Sequence, residues 1–485
     1  MWILCCWFST LLTITVLCLV GVVMKDSRRK MPSLSGSSSI VERPPLQAAF
    51  VRGKRRSSDI ESLIEMLEVE CETMSSNDFA DAINIVTQAV FERLDPQRDA
   101  SVVTRLKRKV PNVSSCVKRL NVNIEYDRLV HTVAELYYES VRYRSSMYFL
   151  HISKSGGTAM CDLACRNGCR TPHCGKNGNC WSRQAKDGPI WEISNDHEWW
   201  MDSGVKLSRN AMYSNCLLEE RHLISKDWNF VANENYLFGG ETTPNHVQVC
   251  SNQFLNVVVI RDPVERVISH MAHMQALYNK RQKKNIIFDN VKKFVSDFQV
   301  VSSNYMSRIL LGGKIFRELD NTVLRSNHTL ANEYLRLAKR HLSEFDVVII
   351  MSDLFSNRAG NVLRRGLGWS DVDLKSIVGE NRFSGTNRTR TISSNDLKII
   401  RDANELDMKL YEYAKFLAFS DRAFFDMLPS EEEEKEEEDG GKKISSTKSS
   451  SIHNNKKKIL KWMRMDVPCE KKCGHVCSVH FEFEK

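Results

Sequence analysis

Lys154-Ser155-Gly156-Gly157-Thr158-Ala159 places one cation, two adjacent glycines and two hydroxyls in a short run. Those residue types bind anions. Glycines let backbone come close to a ligand, and a helix started at them would aim its unpaired N–H groups at a phosphate. The lysine precedes both glycines, whereas a Walker-type loop places it after the last one, which argues against a P-loop kinase. A second group, Asp196-His197-Glu198, stands beside Trp199 and Trp200. A histidine or carboxylate against an apolar wall can serve as a general base whose pKa the wall perturbs. A surface turn followed by two core tryptophans is the alternative.

Strands and helix starts must position these groups. Tyr148 to Ile152 is a short apolar run that predicts a buried strand leading into the lysine and glycines. Val257 to Ile260 is a continuous β-branched run, as in a central parallel strand buried on both faces. Arg261 ends it, Pro263 can occupy the first turn of the next helix, and Ser269 falls two turns in. Asn235 to Phe238 and Phe345 to Met351 predict further strands. Such strand–loop–helix units predict an α/β domain: a mainly parallel central sheet, helices on both faces, and ligand at the strand C-terminal ends.

The stretch Ser153-Lys154-Ser155-Gly156-Gly157-Thr158-Ala159 resembles the 5′-phosphosulfate loop of sulfotransferases, usually close to PKTGGTS. Ser153 stands where the family often has proline, and Ser155 where it often has threonine. The run from Arg261 to Ser269 closely resembles the family's 3′-phosphate motif, RDPxxRxxS. Weaker likenesses follow at Leu363 to Trp369, at the polar run Asn381 to Arg388, and at the closing helix Asn404 to Ala414. The resemblance spans about Met147 to Phe425. It implies 3′-phosphoadenosine 5′-phosphosulfate as co-substrate, with no metal required. Lys154 would stabilise the bridging oxygen as it gains charge. Backbone N–H groups of Ser155, Gly156, Gly157, Thr158 and Ala159 would hold the 5′-phosphate, the Ser155 and Thr158 hydroxyls assisting. Arg261 and Ser269 would hold the 3′-phosphate, guanidinium and hydroxyl both being good phosphate donors.

Glycan-modifying members commonly take their base, Glu or His, from between the two phosphate motifs, which selects the run Asp196 to Glu198. His197 is the first candidate, because an unperturbed pKa near ~6.5 suits it to accept a sugar hydroxyl proton. Glu198 would orient or replace it, and Asp196 is closest to the Glu of an EvHFF-like pattern in one subgroup. Some members carry EKTP with a catalytic lysine; here Glu241-Thr242-Thr243-Pro244 lacks it, and Glu241 is an outside candidate for the base. The implied acceptor is a glycan or glycoprotein-glycan hydroxyl, in preference to protein tyrosine. A catalytically inactive glycan- or nucleotide-binding relative is the other class.

The chain has 485 residues, 42 % of them hydrophobic, and a formal charge of +9, enough for one large domain with appendages or for two domains. A modest basic excess suits an anionic nucleotide and does not call for a nucleic-acid partner. Residues 1–24 contain an uncharged apolar stretch from Trp2 to Met24, long enough to cross a bilayer and expected to act as a signal anchor. The cations that follow it, Lys25, Arg28, Arg29 and Lys30, would by charge alone keep the bulk cytosolic. Sequons at Asn112, Asn327 and Asn387 and the abundant cysteines predict instead a lumenal body, and for such a body the resemblance implies the Golgi membrane.

Residues 25–144 predict a linker and helical stem, with a coiled-coil homodimer possible; apolar spacing marks helices at Ile60 to Leu67 and Phe79 to Val90. Residues 145–428 form the expected transferase domain. Five cysteines crowd one loop-like stretch, Cys161, Cys165, Cys169, Cys174 and Cys180. Their spacing does not match paired zinc knuckles, so disulfides are expected over a zinc site using His173. The odd fifth cysteine needs a partner elsewhere, and Cys216 and Cys250 are available. Residues 429–485 begin with an acidic run, Glu431 to Asp439, expected to be disordered. They end with Cys469, Cys473, Cys477, His475 and His480, where tethering by disulfide is expected over metal binding.

Overall fold

A computed structural model describes residues 58–172, 174, 179–182, 189, 191–193, 199–201, 215–239, 243–282, 290–356, 358–374, 392–428 and 472–477. Its strands are β1 (Ser146–Leu150), β2 (Trp191–Ile193), β3 (Trp199–Met201), β4 (Phe230–Asn233), β5 (Phe254–Ile260), β6 (Val347–Ile350), β7 (Lys472–Cys473) and β8 (Val476–Cys477). Four of them form an all-parallel sheet in the order β4-β1-β5-β6. Met147 lies opposite Phe230, Phe149 opposite Val257, and Val257 opposite Val347. Every residue of these four strands is buried, so neither sheet face meets water, as their near-continuous apolar runs require. β2 and β3 pair antiparallel, and so do β7 and β8.

The expected strand at 235–238 is displaced. β4 lies just upstream at Phe230–Asn233, and Tyr236 to Phe238 is buried without joining the ladder. Leu237 N–H donates instead to Ile309 O at 3.1 Å, and Phe238 makes an isolated bridge with Gln248. An apolar run can satisfy its backbone against a helix as well as against a strand, and spacing alone does not distinguish the two.

Helices α1 (Ser58–Glu70), α2 (Ser76–Arg93), α3 (Ala100–Lys109) and α4 (Asn123–Arg142) precede the sheet. Helices α5 (Gly157–Arg166), α6 (Cys216–Ser225), α7 (Pro263–Gln282), α8 (Tyr305–Glu318), α9 (His328–Ser343) and α10 (Glu405–Asp426) follow among its strands. The helices expected to form a stem are, over their described part, one body with the sheet. α3 packs on α10, α10 packs on β6, and the compact unit begins at Lys54.

The reason is a buried charge cluster. Lys107 Nζ lies 3.0 Å and Arg108 Nε 2.8 Å from Asp421 Oδ1, all three side chains out of solvent. Asp421 Oδ2 accepts Val348 N–H at 2.9 Å and so closes edge strand β6. Beside it, Asp346 accepts from Thr104 Oγ1 at 2.7 Å and from Arg144 Nη1 at 2.5 Å. Lys107 and Arg108 of α3 thus bolt this helix to α10 and the sheet.

Ten described cysteines form five disulfides: Cys71–Cys116, Cys161–Cys180, Cys165–Cys174, Cys169–Cys473 and Cys216–Cys250. The odd cysteine of the crowded loop is Cys169, and its partner is Cys473 from the tail. Cys216 and Cys250 pair with each other, correcting the expectation that one of them completes the loop. The sulfurs of Cys161, Cys165 and Cys180 lie within 4.8 Å of one another, but all three are held in disulfides. His173 lies outside the described residues. Among the described residues no helix is long and apolar enough to cross a membrane; the stretch 1–24 lies outside them.

Candidate functional site

β1 is an inner strand with β4 on one side and β5 on the other, so strand order reverses beside it. In open α/β sheets that reversal opens a crevice at the strand C-terminal ends. The chain leaves β1 through His151 and Ile152, and Ser155 N–H closes a turn onto Ile152 O at 3.0 Å. Lys154 takes φ 71° and Gly156 φ 87°, left-handed conformations that glycine adopts without strain and lysine does not. Gly157 opens α5 for another reason: a Cβ there would lie 1.8 Å from His151 Nε2. The helix ladder begins with Met160 N–H to Gly156 O at 3.1 Å, and the N–H groups of the first turn have no partner within the helix.

Ser155 Oγ is buried and has no hydrogen-bond partner among the described residues. A buried hydroxyl without a partner costs about 1–3 kcal/mol, so the turn is built to meet a polar atom from outside itself. Thr158 differs, because its hydroxyl donates to Asn179 Oδ1 at 3.0 Å. It can still accept a bond, but its proton is already used, contrary to a direct donor role toward phosphate.

Arg261 follows β5 and brings the second motif to the first. Its Nη1 donates to Lys154 O at 3.1 Å, with the side chain 21 % exposed. Asp262 then caps α7, its Oδ1 accepting from Val264 N at 2.9 Å and Glu265 N at 3.0 Å, ahead of Pro263 in the first turn. Ser269 lies on α7, half-buried. Arg266 turns inward, fully buried, donating to Val301 O and lying 4.6 Å from the centre of the Tyr305 ring.

Several groups here did not stand out in the sequence. Glu234, just past β4 and almost fully buried, accepts from Ser153 Oγ at 2.6 Å, and its other oxygen is 3.4 Å from His151 Nδ1. Ser153 Oγ is also 3.1 Å from Tyr305 Oη. Burial pushes the Lys154 ammonium down to about 8; Glu234 opposes the shift, while Arg261 and Arg266 add to it. His273 falls to about 4 through burial and then the Lys154 charge, and burial likewise holds His270 well below its usual value. Both imidazoles are therefore neutral near pH 7. The one available signal was position, since Glu234 ends a strand and Arg266, His270 and His273 surround Ser269.

The residues present suit a phosphate: past the C-terminal ends of the adjacent parallel strands β1 and β5 stand a lysine, a half-buried arginine, a hydroxyl unpartnered among the described residues and a helix N-terminus. Asp196, His197, Glu198 and Glu241 lie outside the described residues, as does the loop Asn381 to Arg388. Comparisons with protein-family models, curated proteins and solved structures gave no match to this chain.

Proposed function

We propose that this chain is a sulfotransferase that moves a sulfuryl group from 3′-phosphoadenosine 5′-phosphosulfate to a glycan hydroxyl. The observation that carries this reading is the junction of the two motifs, Arg261 Nη1 on Lys154 O at 3.1 Å, beside the buried, unpartnered Ser155 hydroxyl. In the proposed reaction the acceptor oxygen bonds to sulfur as the bond from sulfur to the 5′-phosphate oxygen breaks. A base takes the acceptor proton. Lys154 faces the leaving oxygen, where its charge counts most in the transition state. The N-terminus of α5 and Ser155 hold the 5′-phosphate, and Arg261 and Ser269 hold the 3′-phosphate. His197, with Glu198, is the proposed base. Five disulfides support an oxidising compartment, in keeping with a Golgi lumenal setting.

Isothermal titration with adenosine 3′,5′-bisphosphate, followed by radiolabelled sulfate transfer to a panel of glycans and a tyrosine peptide, tests the reading. Saturable nucleotide binding with transfer to a glycan is the expected result. Transfer to the peptide alone would make it a tyrosine sulfotransferase, and binding without transfer an inactive relative. Failure to bind the bisphosphate would overturn the assignment altogether.

A further inference from the structure

Ser153 stands where the resembling loops usually carry proline, whose ring fixes φ. The structure replaces that ring with side-chain bonds. Ser153 is fully buried, donates to Glu234 Oε1 at 2.6 Å and meets Tyr305 Oη at 3.1 Å. Glu234 comes from the end of β4, whose Asn233 lies opposite Leu150 of β1 and accepts the His151 N–H at 2.8 Å. Its second oxygen lies 3.4 Å from His151 Nδ1, and the His151 ring fills the space that makes Gly157 obligatory. Tyr305 in turn lies against the Arg266 guanidinium. The Ser153 hydroxyl therefore ties the loop to the end of the neighbouring strand through Glu234, to α8 through Tyr305 and, by way of that ring, to α7.

We infer that Glu234 is a positioning residue for Lys154: through Ser153 it fixes the loop, and its carboxylate, bonded to the residue just before the lysine, supplies the counter-charge to that loop. The inference rests on Lys154 being the group that faces the leaving oxygen. The groups around Lys154 are Arg261 from the loop after β5, Arg266, His270 and His273 from α7, His151 from the turn after β1, Tyr305 from α8, and Glu234. Among them Glu234 is the carboxylate acting on the lysine, against two guanidinium groups. Burial lowers the Lys154 pKa to about 8 even with that carboxylate present. Neutralising Glu234 removes the charge that opposes the fall, so Lys154 would lose its proton at still lower pH.

Competitive acetylation of Lys154 in the full chain, between about pH 6 and pH 10 and quantified by mass spectrometry, reads this without any sulfate transfer. The wild-type midpoint should lie near 8. Glu234→Gln keeps an acceptor for Ser153 and should move the midpoint down by about one pH unit, a tenfold change in proton affinity. Glu234→Asp keeps the charge and should return it toward the wild-type value. Ser153→Ala, a small change that should fold, is expected to weaken adenosine 3′,5′-bisphosphate binding several-fold, with the midpoint nearly unchanged. A wild-type midpoint above 10, or an unmoved one in Glu234→Gln, would overturn the counter-charge role. Unchanged affinity in Ser153→Ala would overturn the loop-fixing role. If the midpoint moves as stated but no acceptor is sulfated, the pairing stands and the proposed transferase activity fails.

Discussion

Gly157 and His151 share one space, so a single methyl group should test the loop. Gly157→Ala places a carbon 1.8 Å from His151 Nε2 and should destabilise the fold by about 1–3 kcal/mol, read by urea unfolding. Adding His151→Ala should restore part of the loss, and native-like stability of the single variant would show that the contact is wrong. Arg261→Ala and Lys154→Ala should fail differently. Loss of Arg261 should weaken adenosine 3′,5′-bisphosphate binding by about 2–4 kcal/mol in titration calorimetry. Loss of Lys154 should mainly lower turnover. Because the proposed role of Lys154 needs its charged form and burial lowers its pKa to about 8, turnover should fall as pH rises through that value. The two runs proposed to hold phosphate could be singled out in the sequence because each is contiguous and its residue types suit anions. Glu234 was not, because its role exists only once β4 pairs with β1 and sets it beside Ser153.

At the level of elements, the apolar runs located β1, β5 and β6, and helical spacing found α1 and α2. The β4 run is short and passes straight into polar Asn233, Glu234 and Asn235, while the more apolar Tyr236 to Phe238 finds partners off the sheet. The packing of α3 on α10 was hidden for a similar reason: nothing in Lys107-Arg108 says that an aspartate far along the chain awaits it in the core. Asp421→Asn should cost about 3–5 kcal/mol, because it leaves Lys107 and Arg108 buried without their counter-charge. Burial pushes the Asp421 carboxyl up, but Arg108 and Lys107 outweigh that and hold it below its usual value. Its contribution is thus fully present above the ordinary aspartate pKa of ~3.9 and is lost as pH falls through the lower folded value. Wild-type acid unfolding should contain this step, and the Asp421→Asn profile should lack it.

For the whole molecule, compartment and covalent pattern are linked. Asn327 is exposed at the start of α9, where its Oδ1 accepts Leu330 N–H at 3.0 Å, a bond that does not use the amide nitrogen a glycan would modify. Protein made in a eukaryotic secretory system should shift in mobility on glycosidase treatment, and Asn327→Gln should remove part of that shift. Unshifted protein with freely reactive thiols would mean that the body is cytosolic. The pairing of Cys169 with Cys473 adds a matter of timing, since 304 positions separate them. At ~5–20 residues per second a ribosome needs roughly 15–60 s to supply the second sulfur after the first. Throughout that interval Cys169 has four nearer cysteines, at 161, 165, 174 and 180, within reach. The partner that arrives last is the one it keeps. Native connectivity must therefore be defended against earlier suitors or recovered by exchange, and its yield should depend on a thiol isomerase more than on the oxidant.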